Sequence, residues 1–174
     1  MAIPEPFNFN QWIEDNKSVL KPPVSNKELY PGNDDFIVQV VGGPNQRTDF
    51  HFEPYPEWFY QIKGNMHVNI MEDGKLRRVD IKEGDSWMLP GNTPHSPQRP
   101  EEGSIGLVVE RVREAGVTEK VQWYCPNCDQ LIRSFEVEVN DIAKDLAPVF
   151  DQFYNGSDEE RTCGNCGAVH PGKA

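Results

Sequence analysis

The 174-residue sequence has no long apolar stretch and no excess of basic residues. No run approaches the ~20 apolar residues that span a bilayer, and the first residues lack the basic and apolar regions of a signal peptide. Seventeen Lys and Arg stand against 28 Asp and Glu, so the clustered cations that bind nucleic acid or an anionic membrane are missing. We therefore expect a cytoplasmic protein whose ligand is a small molecule.

Cysteine is also scarce, and all of it lies in two Cys-x-x-Cys pairs, formed by Cys125, Cys128, Cys163 and Cys166. In a reducing compartment this pattern indicates metal ligation rather than disulfides. Four thiolates complete a tetrahedral site and leave no position open for substrate. The sequence therefore predicts a structural iron or zinc centre of rubredoxin-like geometry, with a strand and a helix inserted between the pairs.

Short runs of β-branched and aromatic residues, separated by turns, make up most of the first two thirds of the chain. They predict strands at residues 36–41, 58–62, 66–70, 78–81, 86–89 and 105–110. Asp73 and Gly74 between two runs predict a tight hairpin, since glycine accepts the positive φ that such turns need. This pattern predicts an all-β fold, a small antiparallel jelly roll.

The two ends of the chain differ from this pattern. Residues 7–20 have the spacing of a short amphipathic helix, closed by Pro22 and Pro23. From about residue 113 the sequence predicts further strands and a helical segment, residues 141–153, interrupted by Pro148. We therefore divide the chain into a barrel with an N-terminal arm, residues 1–112, and a C-terminal four-cysteine extension packed on it, residues 113–174.

Two short stretches supply imidazoles and carboxylates from separate parts of the predicted barrel. His51 and Glu53 would point to the same face of a strand, so spacing allows either Glu53 or Glu57 as carboxylate partner. Two prolines break the strand after Glu53, and Glu57 opens the next strand, from which it can face back toward His51. A turn rich in proline and glycine precedes His95. Two imidazoles and one carboxylate form the open ferrous site of oxygen-using enzymes.

These stretches resemble the two motifs of the cupin superfamily. In the first motif His51, Glu57 and Gly64 keep the usual spacing, whereas Glu53 stands where the family usually has a second histidine. The matching residues of the second motif are Gly84, Pro90 and His95, while Asn92 and Arg99 replace the usual glycine and asparagine. The resemblance implies a double-stranded β-helix, and the missing histidine leaves a two-histidine, one-carboxylate ligand set.

A more specific resemblance, covering nearly the whole chain, is to the bacterial 3-hydroxyanthranilate 3,4-dioxygenase family. It is carried by residues 6–9, 20–24, 40–45, 47–51, 59–61, 82–85, 95–100, 110–111, 123–125 and 169–172. The resemblance implies extradiol-type opening of an aminophenol ring by ferrous iron and dioxygen. The product, 2-amino-3-carboxymuconate semialdehyde, closes to quinolinate, a precursor of NAD. It further implies a homodimer and a four-cysteine iron centre remote from catalysis.

The same resemblance assigns the site residues: His51, Glu57 and His95 hold the catalytic iron, and Arg47, Arg99 and Glu110 meet the substrate. Counting iron with these charges predicts a net positive cavity that suits a dianionic substrate. Arg99 is assigned the substrate carboxylate, because a guanidinium fork matches it. Glu110 is assigned the phenol proton or the amine. Arg47 is assigned to dioxygen and the negative charge that develops during reaction.

Alternative interpretations stay open at the level of sequence. His67 carries no motif and is interpreted as structural, and His170 as a surface residue or a neighbour of the thiolate site. Asn26 is a lid candidate in a predicted loop. A different cupin dioxygenase, acting on another ring or a thiol, would share the iron ligands without needing all three substrate residues. A non-catalytic cupin that binds a small acid is the rival from another class.

Overall fold

A computed structural model describes residues 3, 5–22, 25–139 and 142–173. The elements are α1 (Phe9–Asp15), β1 (Asn26–Glu28), β2 (Phe36–Gly42), β3 (Phe50–Phe52), β4 (Glu57–Lys63), β5 (Met66–Glu72), β6 (Lys75–Ile81), β7 (Ser86–Leu89), β8 (His95–Gln98), β9 (Ile105–Arg111), β10 (Thr118–Tyr124), β11 (Leu131–Glu138) and α2 (Ile142–Tyr154). Among the helices of these residues, none is long and apolar enough to cross a membrane.

Two antiparallel sheets form the body of the protein and confirm the predicted all-β jelly roll. One sheet has the order β1-β2-β9-β4-β7 and the other β11-β10-β3-β8-β5-β6. Neighbouring strands are mostly distant in sequence, as is expected when hairpins wrap into two facing layers. The side chains that point inward pack between the sheets as Phe59, Met66, Val68, Ile70, Ile81, Leu89 and Val108.

Local sequence explains several of the connections. The β5–β6 hairpin turns at Asp73 and Gly74, both of which have positive φ (50° and 72°), as the sequence predicts. The helix α1 begins after Asn8, whose side chain accepts a hydrogen bond from the Gln11 backbone N–H, and it is shorter than the predicted segment 7–20. Pro23, expected to close this segment, lies outside the described residues.

The C-terminal residues extend one of the barrel sheets. Strand β10 pairs with β3, and Val121 lies opposite His51. The helix α2 packs through Phe153, which stacks on the buried ring of Trp123 at 4.2 Å. The interruption predicted at Pro148 is wrong, because α2 continues through this residue. The sheet thus runs from the predicted barrel into the predicted extension, and their division at residue 113 stays a prediction.

Candidate active site and thiolate centre

Three adjacent strands present titratable side chains in a row on the inner face of one sheet. His51 on β3 pairs directly with His95 on β8, and their rings lie 5.4 Å apart. On the other side of β3, Glu119 comes two residues before Val121, the partner of His51, so all three side chains share a face. His95 is the first residue of β8, shortly after the turn that the sequence predicts before it.

The opposite sheet contributes two carboxylates to the same space. Glu57 is the first residue of β4, and Glu110 lies near the end of β9. Because Trp58 pairs with Val109, Glu57 and Glu110 stand next to each other at the same end of the sheet. The two sheets enclose a cavity of about 150 Å³, and the six predicted site residues all line it: Arg47, His51, Glu57, His95, Arg99 and Glu110.

His95 and Glu57 form a close pair that joins the two sheets across this cavity. Nε2 of His95 lies 2.8 Å from Oε2 of Glu57, and that oxygen is buried without a partner in hydrogen-bond geometry. The backbone carbonyl of Thr93 fixes the ring from behind, 2.9 Å from Nδ1. Burial raises the pKa of Glu57, but His95, His51 and Arg113 together outweigh this effect, and the pKa lies below its usual value. The pair is therefore an acceptor-rich site for a cation.

His51 is turned away from this pair. Its Nε2 lies 2.5 Å from Oε2 of Glu119. Burial lowers the pKa of His51 against the opposing effect of Glu119, so the ring is neutral at pH 7, the form that ligates metals. Within the described ranges, the ligand atoms of His51, Glu57 and His95 do not all lie within 4.8 Å of one another. Binding one ion with all three therefore requires His51 to reorient.

Arg99 is the buried cation of the cavity. Its side chain is 2% exposed and its Nη1 donates to Oε1 of Gln61 at 2.6 Å, while Nη2 has no hydrogen-bond partner. Gly106 makes room for it, because a Cβ there would lie 2.7 Å from Nη1. Burial without a paired carboxylate lowers the pKa of Arg99 to about 10, even though Glu57 opposes this. A buried guanidinium with unused N–H groups is a receptor for an anion.

Arg47 lies at a more open part of the cavity, with 31% of its side chain exposed. Its Nε donates to Oδ2 of Asp49 at 2.9 Å, and its Nη2 contacts the same oxygen. The guanidinium also stands over the ring of Phe150 from α2, 5.9 Å from its centroid. From the sequence alone, Arg47 counts as one positive charge of the cavity. Asp49 compensates this charge.

The family model for 3-hydroxyanthranilic acid dioxygenase matches residues 1–154. The chain belongs to this family. A 3-hydroxyanthranilate 3,4-dioxygenase of Paraburkholderia phytofirmans is 53% identical over 170 residues, which cover 98% of this chain and 97% of the relative. The enzyme of that name from Shewanella woodyi is 50% identical over 167 residues, covering 96% and 87%.

A solved cupin-2 domain protein from Shewanella frigidimarina matches with a TM-score of 0.46 and 16% identity, covering 62% of this chain and 94% of that one. The dioxygenase family membership rests on the sequence relationships above, which span nearly the whole chain.

Two charged residues of this dioxygenase-family cavity were missed at the sequence level, Arg113 and Glu119. The Arg113 side chain is only 6% exposed and contacts Glu110 at 2.6 Å, Glu53 at 3.2 Å and, through Nε, Glu119. Burial raises the pKa of Glu110 to about 7, an effect that the nearby charge of Glu57 reinforces and Arg113 opposes. One available signal was the alternation of β10, which places Glu119 in phase with the buried Val121.

The remaining candidates fall outside the cavity or at its edge. Glu53 is buried but is not among the residues that line the cavity, and burial raises its pKa to about 9, so it is neutral at pH 7. Asn26 lines the cavity, from β1 rather than from a loop. His67 lies on β5 away from the cavity. His170 is buried, and its Nδ1 accepts a hydrogen bond from the backbone N–H of Gly172.

The four cysteines of the C-terminal part come together in one cluster, as their spacing predicts. Their sulfur atoms all lie within 4.8 Å of one another, with Cys125 and Cys166 3.5 Å apart and Cys128 and Cys163 3.6 Å apart. A disulfide needs ~2.0 Å. Tetrahedral thiolates at ~2.3 Å from a metal lie about 3.8 Å apart. The cluster therefore fits one metal ion.

Backbone hydrogen bonds repeat in the two cysteine loops. The Asp129 N–H donates to the carbonyl of Cys125, and the Gly167 N–H donates to that of Cys163, both at 2.9 Å. Both donors have positive φ, 62° and 73°. The amide of Asn165 also lies 3.5 Å from the sulfur of Cys128. The two cysteine loops therefore have the same backbone geometry and face each other. Their four sulfur atoms are available to bind a metal ion.

Proposed function

We propose that this protein catalyses the reaction for which its family is named, the dioxygen-dependent ring opening of 3-hydroxyanthranilate to 2-amino-3-carboxymuconate semialdehyde. The assignment rests on the family relationship, which covers nearly the full length of the named relatives. By the product's chemistry, the protein supplies quinolinate for the synthesis of pyridine nucleotides.

The proposed catalytic metal is ferrous iron, held by His51, Glu57 and His95. Support comes from the close approach of Glu57 and His95 without a hydrogen bond and from the unpartnered carboxylate oxygen. His51, on the neighbouring strand and the same face, would complete the set by turning from Glu119. Iron bound in this way would bring dioxygen and the phenolate oxygen of the substrate together. Glu57 is preferred over Glu53, because Glu57 lines the cavity.

One observation carries the substrate assignment: Arg99 is buried in this cavity with an unpartnered guanidinium nitrogen. Burying a cation is costly unless an anion pairs with it. The substrate carboxylate supplies that anion, and a planar fork fixes the ring plane as well as the position. Arg99 thereby orients the aromatic ring relative to the His95 and Glu57 side chains.

Glu110 and Arg47 are assigned the proton and the developing charge. The carboxylate of Glu110 faces the cavity and has a pKa raised to about 7, which suits a group that accepts the phenol proton near neutral pH. Arg47 keeps a fixed cation at the open side of the cavity, where it can stabilise negative charge that develops on oxygen. Leu146 from α2 closes part of the wall and helps to exclude water.

Two further assignments belong to the same proposal. The four-cysteine centre holds a second iron, or zinc, with a structural role, because four thiolates leave no free coordination position. The cytoplasm is the expected compartment, since free thiols persist where the environment is reducing.

A homodimer is also proposed, and the outer face of the five-stranded sheet is the surface that supports it. Trp58 pairs across the strands with Met88, which is 56% exposed, and Trp58 stacks on Tyr60 at 6.0 Å. Exposed apolar clusters of this kind mark interfaces. Light scattering of the Tyr60→Lys variant tests the surface: a dimer for the parent protein and a monomer for the variant are expected, and a monomeric parent contradicts the proposal.

The function is tested by oxygen uptake. Protein loaded anaerobically with Fe²⁺ is mixed with 3-hydroxyanthranilate and air-saturated buffer, and dioxygen consumption and the ring-opened product are followed together. His95→Ala should abolish both signals, while the matched control His67→Ala, on the neighbouring strand β5 and outside the cavity, should retain them. Loaded parent protein that consumes no dioxygen would contradict the proposal, and uptake with another ring or a thiol only would favour a different cupin dioxygenase.

A further inference from the structure

One face of the helix α2 lies beside the open side of the cavity. Leu146, Phe150 and Tyr154 follow one another at four-residue spacing, so their side chains share a face of the helix. Leu146 lines the cavity itself. The next two side chains contact Arg47 and its partner Asp49. The C-terminal part of the chain therefore reaches the proposed active site through three successive turns of α2.

Phe150 presents its ring to the guanidinium of Arg47. The central carbon of the guanidinium lies 5.9 Å from the ring centroid, within the range of a cation–π interaction. The Phe150 ring is in turn held by Trp123, which is fully buried and which it meets edge to face at 6.4 Å. The core of the C-terminal part thus sets the position of the aromatic face on which Arg47 rests.

Tyr154, one turn further along α2, acts on Arg47 through Asp49. The two carboxylate oxygens of Asp49 have different partners: Oδ2 accepts from Nε of Arg47 at 2.9 Å, and Oδ1 accepts from the Tyr154 hydroxyl at 3.3 Å. The Asp49 side chain is 4% exposed, so water has little access to it. A carboxylate held at both oxygens does not rotate freely, and this restricts the guanidinium that it binds.

We propose that Phe150 is a positioning residue that, together with Tyr154, holds the guanidinium of Arg47 in place for the reaction. This inference rests on the proposed function, in which Arg47 stabilises negative charge that develops on oxygen. A cation does so efficiently only when it is already in position. An arginine has several rotatable bonds and this one is 31% exposed, so it samples other rotamers unless contacts restrict it. Phe150 does not line the cavity, so its effect must pass through Arg47.

A role in packing is the alternative, because Phe150 also belongs to the apolar cluster around Trp123. Phe135 on β11 provides the matched control within the same cluster. It is half-buried like Phe150 and meets the Trp123 ring edge to face at 5.8 Å. In the part of the chain that the structure describes, it has no cation–π contact with Arg47. Leucine at either position removes a similar contact with the tryptophan, and only Phe150→Leu removes the ring beside Arg47.

NMR of the arginine side chains measures the contact directly, in protein loaded with diamagnetic zinc. The Nε–H resonance of Arg47 is identified by its absence from Arg47→Lys. It should shift in Phe150→Leu, because the proton loses the ring current of the neighbouring aromatic face, and it should keep the parental position in Phe135→Leu. The conservative variant Phe150→Tyr retains the ring and should restore the parental resonance. Melting curves confirm that each variant is folded.

Oxygen uptake of iron-loaded protein gives the functional result. Phe150→Leu is expected to lower kcat about threefold to tenfold, the size of one cation–π contact made in the transition state. The KM for 3-hydroxyanthranilate should change by less than about twofold, since Arg99 binds the substrate carboxylate. Phe150→Tyr should recover the parental kcat, and Tyr154→Phe should lower kcat by a smaller factor than Phe150→Leu. Phe135→Leu should leave kcat unchanged.

The outcomes separate this inference from the proposed function. A parent protein that consumes no dioxygen with 3-hydroxyanthranilate contradicts the proposed function, and the role of Phe150 in the reaction is lost with it. An active parent whose kcat falls equally in Phe150→Leu and Phe135→Leu would make Phe150 a packing residue. A Phe150→Tyr variant as slow as Phe150→Leu would lead to the same conclusion. An Arg47 resonance that does not move in Phe150→Leu overturns the inference whether or not the parent is active.

Discussion

Replacing Arg99 by methionine should strongly weaken substrate recognition without destabilising the fold. The side chain is 2% exposed, and burial lowers its pKa from the usual arginine value to about 10. Each pKa unit corresponds to ~1.36 kcal/mol, so keeping this guanidinium charged in the folded protein costs about 3 kcal/mol. Arg99→Met removes that cost and fills most of the same volume with an apolar side chain.

The opposing contribution comes from Gln61. Its Oε1 accepts a 2.6 Å hydrogen bond from Arg99 and would lose this donor inside the protein, which costs about 1–3 kcal/mol. The two effects nearly cancel, so the free energy of unfolding should stay the same or rise by up to about 2 kcal/mol. In contrast, the substrate carboxylate would lose the two charge-assisted hydrogen bonds that Arg99 donates in the proposed complex. We therefore expect kcat/KM to fall by about a hundredfold or more.

Urea unfolding, followed by tryptophan fluorescence, measures the free energy of unfolding. Initial rates of oxygen uptake measure kcat/KM. Arg78→Met, which removes an arginine that is 59% exposed on β6, is the matched control and should change neither. The reasoning is refuted if Arg99→Met unfolds more than ~3 kcal/mol more easily than the parent. It is equally refuted if kcat/KM falls by less than about tenfold.

Three further predictions concern the same cavity and the thiolate centre. Gly106→Ala places a Cβ 2.6 Å from Oε1 of Gln61 and 2.7 Å from Arg99, so KM should rise with kcat nearly kept; an unchanged KM would contradict the close packing. Turnover should increase as pH rises through about 7, where Glu110 loses its proton, and this dependence should vanish in Glu110→Gln; a profile shared by both proteins would remove its role as base. Cys125→Ser should lower the metal content by one ion per chain and lower the melting temperature, while Mn²⁺ binding at the other site persists; unchanged metal content would refute the thiolate centre.

The sequence predicted the cavity residues better than it predicted their partners. His51, Glu57 and His95 occupy motif positions, and turns rich in proline bring such positions to one end of a barrel. Arg113 lies in a run of charged residues that is typical of a solvated surface. Its burial depends on contacts with Glu110 on β9, Glu119 on β10 and Glu53, which directly follows β3. The only sign of Glu119 in the sequence is a charged residue at a position of β10 whose side chain points inward. Alternation along one strand is a weak basis for predicting a buried charge.

Contacts distant in sequence also decide the charge of the cavity. Counting motif residues gives a cavity with two unpaired arginines, Arg47 and Arg99. In the structure, however, Asp49 pairs with Arg47. Glu110 and Glu119 pair with a third arginine, Arg113. Among the cavity residues that the structure describes, Arg99 is the arginine with no carboxylate within ion-pair distance. Complementarity to an anionic substrate therefore depends mainly on this guanidinium and on the metal, because carboxylates offset the charges of the other two arginines in the resting cavity. Since ion pairs inside a protein are screened little by salt, substrate affinity should be set by the geometry at Arg99 more than by the protein's overall negative charge.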